Sequence, residues 1–254
     1  MLTASIIFGV RKALRYRINL ISWFIADFSL YSSIIVLYEL LFARFSDLGG
    51  FDKTQMGMYI STYFLVNNIF AIFFSEAVSI YGDSITNGNY VYYLLNPYGT
   101  VRSIISLNFN FAPLLSTPFL LAINIYFMSK FELRLFNVLI YYLGIISAVF
   151  IMTFFMLLLY SLLLFGIRLG TVSAGISQLF SIAEKPNTTF NVKVRRFFTY
   201  IIPAFMFSAV PSSIIIGNPD KNEIIALFVL PLAFYLLFKI VEAFGLKKYN
   251  GDGY

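Results

Sequence analysis

The sequence has no cysteine and no histidine. Without cysteine there is no disulfide framework and no thiolate metal site. Without histidine the commonest general base is missing, and with it the Ser-His and Cys-His nucleophile pairs and the HExxH zinc motif. No GxxxxGK[ST] stretch occurs, so the chain has no P-loop of its own for ATP. An intramembrane aspartyl hydrolase would need a GxGD motif, and the nearest stretch, Tyr81-Gly82-Asp83, lacks the first glycine. The inventory points to a protein that performs no chemistry itself and binds neither cofactor nor metal.

Charge is also scarce. Only 12% of the 254 residues are Asp, Glu, Lys or Arg, against 59% that are hydrophobic. Soluble domains carry about 25% charge and 45–50% apolar residues. The apolar excess gathers in runs of about 20 residues, the length of helix that crosses a bilayer. These runs predict an all-α membrane protein of six transmembrane helices, and exclude a soluble fold. The net charge of +6 is then read as topology and contact with anionic lipid of the bilayer. Nucleic acid is not an expected partner.

Residues 1–17 carry Arg11, Lys12, Arg15 and Arg17, while Leu2, Ile6, Val10 and Leu14 recur every four positions. That stripe predicts a basic amphipathic N-terminal helix lying in the membrane interface. A simple topogenic charge cluster is the alternative. The apolar run that follows is too long for the core of a cleaved signal, and no A-x-A-like site follows it. The expected spans are 18–42, 56–80, 103–128, 135–165, 197–216 and 224–244. The fourth is longer than a bilayer needs, which implies tilt or projection. Between them lie a polar loop with Asp47, Asp52 and Gly49-Gly50, a turn-rich segment at 81–102, and the long polar stretch 166–196.

A cytoplasmic N-terminus makes the charges asymmetric. Arg11, Lys12, Arg15, Arg17, Arg102, Arg168, Lys185, Lys193, Arg195, Arg196, Lys239, Lys247 and Lys248 then lie inside. Arg44, Lys53, Lys130, Arg134 and Lys221 lie outside. The tally of 13 against 5 fits the positive-inside rule and returns the C-terminus to the cytoplasm. No loop is long enough for a soluble domain, so 1–254 reads as a single transmembrane domain. No repeat relates the halves, which weakens an inverted-repeat secondary transporter.

Asp27 falls inside the first span, where a charge costs about 2.5–3.5 kcal/mol on insertion scales and faces a partner or water. Glu39 and Glu76 lie nearer span ends. Asn67, Asn68, Asn108, Asn110 and Asn124 are amides in apolar runs, suited to interhelical hydrogen bonds of about 0.6 kcal/mol each. Asp27, Asn67 and Asn108 are also candidates for a polar pathway surface. Pro113 and Pro118 are expected to kink the third span, and Pro203 and Pro211 the fifth. Gly144 and Ala148 form a small-xxx-small pair that lets helices approach closely.

The order of these parts resembles the membrane subunit of bacterial ABC-2 type transporters. The stretch Ile85-Thr86-Asn87-Gly88-Asn89-Tyr90-Val91-Tyr92-Tyr93-Leu94-Leu95-Asn96-Pro97 is similar to that family's I-x-x-G-x-l-x-x-y-L-L-x-P segment. Ile202-Pro203, Phe205, Pro211 and Gly217 are similar to its fifth span, and Gly245-Leu246-Lys247-Lys248-Tyr249 fits its tail. Where relatives have an aromatic-Pro pair after the fourth span, this chain has Glu184-Lys185-Pro186. The resemblance implies an inner-membrane export permease paired with a second permease, identical or similar. Two separate ATP-binding subunits would hold ATP and Mg and supply the energy. It also implies that 81–102 is a cytoplasmic coupling segment. Gly88 would permit the turn, Tyr90, Tyr93, Leu94 and Leu95 would dock on the ATPase, and Pro97 would end the helix. Two other readings stay open at this point. One is an ion-coupled transporter or channel with Asp27 as the coupling charge, and the other a non-transporting accessory subunit.

Overall fold

The computed structural model describes residues 17–95 and 110–249. Most of the expected interfacial helix, Pro97, Arg102 and Asn108 lie outside the described residues. Among the described residues every regular element is helical. Four helical stretches are long and apolar enough to cross a membrane: Leu20–Phe42, Lys53–Thr86, Leu135–Phe165 and Lys221–Leu246.

The first lies in α1 (Arg17–Phe42). The second is built from α2 (Lys53–Phe70), a π-helical turn (Ala71–Ser75) and α3 (Glu76–Thr86). Asp52 starts it with a reciprocal cap. Its Oδ1 accepts the backbone N–H groups of Thr54 and Gln55 at 2.8 Å, and Gln55 Oε1 accepts that of Asp52 at 3.1 Å. After the short α4 (Tyr90–Leu94) the description resumes at 110. There a 3-10 turn (Ala112–Leu115) precedes α5 (Thr117–Met128). The long α6 (Leu135–Ser161) ends in a second 3-10 turn and at Gly166. Then come α7 (Leu169–Ala183), α8 (Val192–Arg196), α9 (Ala209–Ile216) and α10 (Lys221–Leu246).

Cross-helix contacts fix the direction of each helix. Asn124 of α5 reaches Ser61 of α2, while Asn68 further along α2 reaches Pro113, so α2 and α5 are antiparallel. Ser147 and Phe155 of α6 meet Leu227 and Phe234 of α10, so these two run parallel. Gly82 of α3 abuts Tyr160 of α6, and Gly245 of α10 abuts Leu164. The Gly82–Gly245 level is therefore one end of the bundle, and the 43–52 and 217–220 loops form the other.

This frame corrects the expected fifth span. α7 begins just beyond Leu164, at the first end. It finishes at Ala183, whose carbonyl accepts hydrogen bonds from the Tyr59 hydroxyl (2.7 Å) and Ser208 Oγ (2.9 Å) near the second end. Glu184-Lys185-Pro186 is thus held beside α2. The Lys185 carbonyl also accepts from Tyr59 (2.6 Å), and Glu184 Oε1 from Tyr63 (3.3 Å). The stretch 197–216 does not run from end to end. It starts from Arg195 and stops at Gly217, and both neighbourhoods share one cavity with Asp220 and Glu223. It is a re-entrant hairpin. A π-helical turn (Phe197–Ile201) leads in, a tip at Pro203 and Ala204–Phe207 turns it, and α9 leads out. Ala204, Phe205, Met206 and Phe207 are all fully buried, as irregular backbone at membrane depth has to be.

Two further expectations change with it. Lys185, Lys193, Arg195 and Arg196 move to the loop end, so the sequence tally of thirteen against five no longer stands and does not orient the chain. Pro118 and Pro211 do not kink their helices. Each sits in a first turn, of α5 and α9, where its missing N–H has no intrahelical partner to lose. Pro113 lies in the 3-10 turn, so the third segment is broken at Ser116 rather than bent. Pro203 falls at the hairpin tip.

Pro231 does lie inside α10. It leaves the Leu227 carbonyl without its helical donor. Ser147 Oγ of α6 donates to that carbonyl at 2.5 Å. Gly144 and Ala148 flank Ser147 on the same buried face, and a Cβ on Gly144 would sit 3.0 Å from Leu227. Outside this core, α1 presents Ile18, Ile21, Ile25, Phe28, Leu37 and Leu40 outward, a surface compatible only with hydrocarbon or another apolar helix.

Close helix contacts should be measurable by bulk. A Cβ on Gly57 would lie 2.1 Å from the Phe127 ring, whereas one on Gly170 meets nothing within 4 Å. Gly57→Leu is expected to cost about 1–3 kcal/mol of overpacking and Gly170→Leu much less. Thermal denaturation of both variants in detergent checks the difference.

Candidate functional site

The site grows from the end of α3. Asn87 N–H closes on the Asp83 carbonyl (2.9 Å) and Gly88 N–H on that of Ile85 (3.3 Å). Gly88 then takes φ +74°, a left-handed conformation that any side chain would strain. The chain reverses there into α4. Because α4 is one short turn, its faces divide sharply. Tyr90 is fully buried and Tyr93 half-buried against the core. Val91, Tyr92, Leu94 and Leu95 are exposed, Tyr92 at 74% and Leu95 at 77%.

Tyr90 therefore cannot be a docking residue, as its position in the motif suggested. It is the inner half of a joint. Its hydroxyl donates to Glu242 Oε1 of α10, and Lys239 Nζ donates to Glu242 Oε2 at 2.7 Å. Both carboxylate oxygens are thereby occupied at a residue that is 5% exposed. A buried charge is tolerated when paired and hydrogen-bonded in this way. The Tyr90 ring meets Tyr81 and Tyr249 edge-on, at 5.4 and 6.1 Å between centroids. Tyr249 closes the assembly by donating to the Ile85 carbonyl at 3.2 Å. The ends of α3, α4 and α10 and the chain just after α10 form one packed unit. Sequence reasoning missed Glu242, and placed Tyr249 only in the tail segment without a role. The one signal was Glu242 itself, an acid three residues after Lys239 in an otherwise apolar run.

A family profile described as ABC-2 family transporter protein matches residues 28–253. The chain belongs to that family. No curated protein and no solved structure matches it.

Membership makes the chain a membrane transport permease, of a family that implies association with ABC ATP-binding subunits. The remaining candidates can be placed in that light. Asp27 is half-buried and accepts from Ser116 Oγ at 3.0 Å, at the break before α5. Asn67 stands beside Tyr31, which also lies within electrostatic reach of Asp27. The structure thus brings Asp27 and Asn67 together around Tyr31. Asn68 and Asn124 are structural ties. Asn68 Nδ2 donates to the Pro113 carbonyl (2.9 Å), and its Oδ1 accepts from Thr117 (2.8 Å). Asn124 Nδ2 donates to Tyr141 (2.7 Å) and Ser61 (3.1 Å).

One polar face of the ABC-2 permease was not foreseen. α7 exposes Thr171, Gly175, Ser177, Gln178 and Ser181, where α1 and α10 expose isoleucine, leucine and phenylalanine. Ser177 and Ser181 donate back to their own helix, to the carbonyls of Ser173 and Ser177 at 3.0 and 3.2 Å. That back-bonding keeps both hydroxyls satisfied within the helix.

The joint is testable by a double-mutant cycle. Tyr90→Phe and Glu242→Met each remove one partner of a buried hydrogen bond, and each is expected to cost about 1–3 kcal/mol. The double variant should lose clearly less than the sum. Thermal denaturation in detergent measures all three.

Proposed function

We propose that this chain is the permease of an ATP-driven exporter. Two copies, or one copy and a similar permease, enclose the pathway, and two separate ATP-binding subunits drive it. The observation that carries this reading is the exposed apolar turn of α4 in an ABC-2 family chain. Val91, Tyr92, Leu94 and Leu95 project where no helix among the described residues covers them, and an apolar patch of that kind marks a protein contact. The joint behind it, Tyr90–Glu242–Lys239, gives the turn a rigid backing. A push on α4 then moves α3 and α10 together instead of deforming a loop. ATP and Mg are held by the partner, and this chain contributes no P-loop and no residue to hydrolysis.

The same reading assigns six crossings, with α5 and α7 as the two short ones. α7 spans about 22 Å as 15 helical residues, less than the roughly 30 Å hydrocarbon core. Its polar face is suited to line the pathway between two permeases, since small and polar surface is unfavourable against lipid. Asp27 and Asn67 lie against Ser116 and Tyr31, which supports a structural role for both rather than ion coupling. The α4 end is placed in the cytoplasm of the bacterial inner membrane with both termini. The loop end and the hairpin face outward.

Docking is tested by co-purification. Tyr92→Asp with Leu95→Asp should remove the ATP-binding subunits from the purified permease while the permease still folds, as gel filtration shows. Retained assembly would overturn the docking role. Sidedness is tested separately, and the absence of native cysteine makes single labels unambiguous. A cysteine at position 188 should react with an impermeant thiol reagent added to intact cells, and one at position 92 only after permeabilisation. Labelling of position 92 from outside would invert the assignment.

A further inference from the structure

At the loop end, the hairpin and the chain segments before α2 and α10 enclose a cavity of about 250 Å³. Its polar lining comes from several separate stretches of chain. Gln55 opens α2, Asn187 and Thr188 follow α7, and Arg195 belongs to the descending arm of the hairpin. Ser213 lies on α9, and Asn218, Asp220 and Glu223 lead into α10. Two atoms in this wall are buried without a partner. Arg195 Nε is a hydrogen-bond donor and Asn187 Oδ1 an acceptor. Buried groups of this kind are met in native proteins by a bound group or by water.

We propose that this cavity binds a small hydroxylated monoamine, with a single-ring amino sugar as the class that fits. Three observations select it. The charged lining residues are one arginine and two carboxylates, so the cavity has an excess of one negative charge and favours one positive charge in its occupant. Asn187 Oδ1 and Glu223 can accept from an ammonium. Asp220 already uses Oδ1 to cap α10 through Asn222 N–H at 2.8 Å, which makes Glu223 the principal counter-charge. Arg195 Nε–H needs an acceptor, and Gln55, Thr188 and Asn218 offer neutral donors and acceptors around it, with Ser213 Oγ as an acceptor because its own proton goes to the Val210 carbonyl at 2.7 Å. A hydroxylated ring meets those groups, and Phe51 supplies an apolar wall for its C–H face. The volume lies below the roughly 300–1,000 Å³ of drug-sized sites, which limits the occupant to about one ring.

The site is formed within one permease chain and does not depend on ATP-driven export, so binding is measured on the purified full-length chain in detergent. Glucosamine, glucose and ethylamine are titrated by calorimetry. Glucosamine should bind saturably and at least about tenfold more tightly than glucose, which lacks the charge, or ethylamine, which lacks the ring hydroxyls. Glu223→Gln should weaken glucosamine at least about tenfold. Ser213→Leu, which fills the cavity without touching its charges, should abolish binding. The proposal is overturned if glucose equals glucosamine, if Ser213→Leu binds like the wild type, or if no probe saturates, which is the result for a cavity that holds water only. Ser213→Leu decides the matter should Glu223→Gln fail to fold.

Discussion

Everything in this bundle is arranged around one constraint: a backbone N–H or C=O at membrane depth must find its partner within the protein, because hydrocarbon offers none. Straight helices meet it automatically. This chain breaks its helices repeatedly, and the carbonyls exposed at the breaks are met from elsewhere in the fold. The π-helical turn after α2 presents the Ile72 carbonyl to Asn110 N–H at 3.0 Å. The break before α5 presents the Pro113 carbonyl to Asn68. Pro231 frees the Leu227 carbonyl, which Ser147 takes up. The end of α7 presents its last carbonyls to Tyr59 and Ser208. In every case but the first a side chain on another element completes the bond, so each break is also a tie between elements.

These ties explain why the two ends of the protein are mechanically connected. α10 is 26 residues long, about 39 Å of helix. Its N-terminal end borders the hairpin and its C-terminal end carries Glu242. Along the way it is held to α6 by Ser147–Leu227, by Phe155–Phe234 at 5.1 Å between ring centroids, and by the glycine approach at Gly245. No irregular segment interrupts it, since Pro231 is compensated where it stands. A displacement applied at α4 is therefore delivered to the loop end through packed helix. The connection between the two ends thus rests on Glu242 at one end and on the contact of α9 with Gly144 at the other.

The sequence disclosed the membrane class, the family and the long helices, because twenty apolar residues in a row have few other fates. It also disclosed the turn at Gly88. The position of Tyr90 was not legible, since a five-residue helix carries no periodicity from which an inner face can be read. The hairpin misled for a specific reason. Residues 197–216 are more apolar than 169–183, because the hairpin is buried against α2 and α6 while α7 keeps serines, glycines and Gln178 on an exposed face. Hydropathy ranks segments by what surrounds them, and here the protein interior was greasier than the surroundings of α7. Pro203 and Pro211, eight residues apart, were the signal that the stretch does not cross.

The relocated hairpin also changes what the charges are for. With Lys185, Lys193, Arg195 and Arg196 at the loop end, these four basic residues no longer mark an inner side. Their function there is local. Arg195 lies within electrostatic reach of Glu223, and Arg195, Asp220 and Glu223 share the cavity wall, so cation and anion stand on segments that meet only when the hairpin is folded back. Arg195 descends into the hairpin, and Asp220 and Glu223 begin the helix that leaves it. An oppositely charged pair at the mouth of a re-entrant loop favours the returned conformation over an extended crossing, because a crossing by 197–216 would carry Asp220 and Glu223 to the opposite end, away from Arg195. The basic cluster that made 166–196 look cytoplasmic is, in physical terms, part of what keeps 197–216 from spanning the membrane.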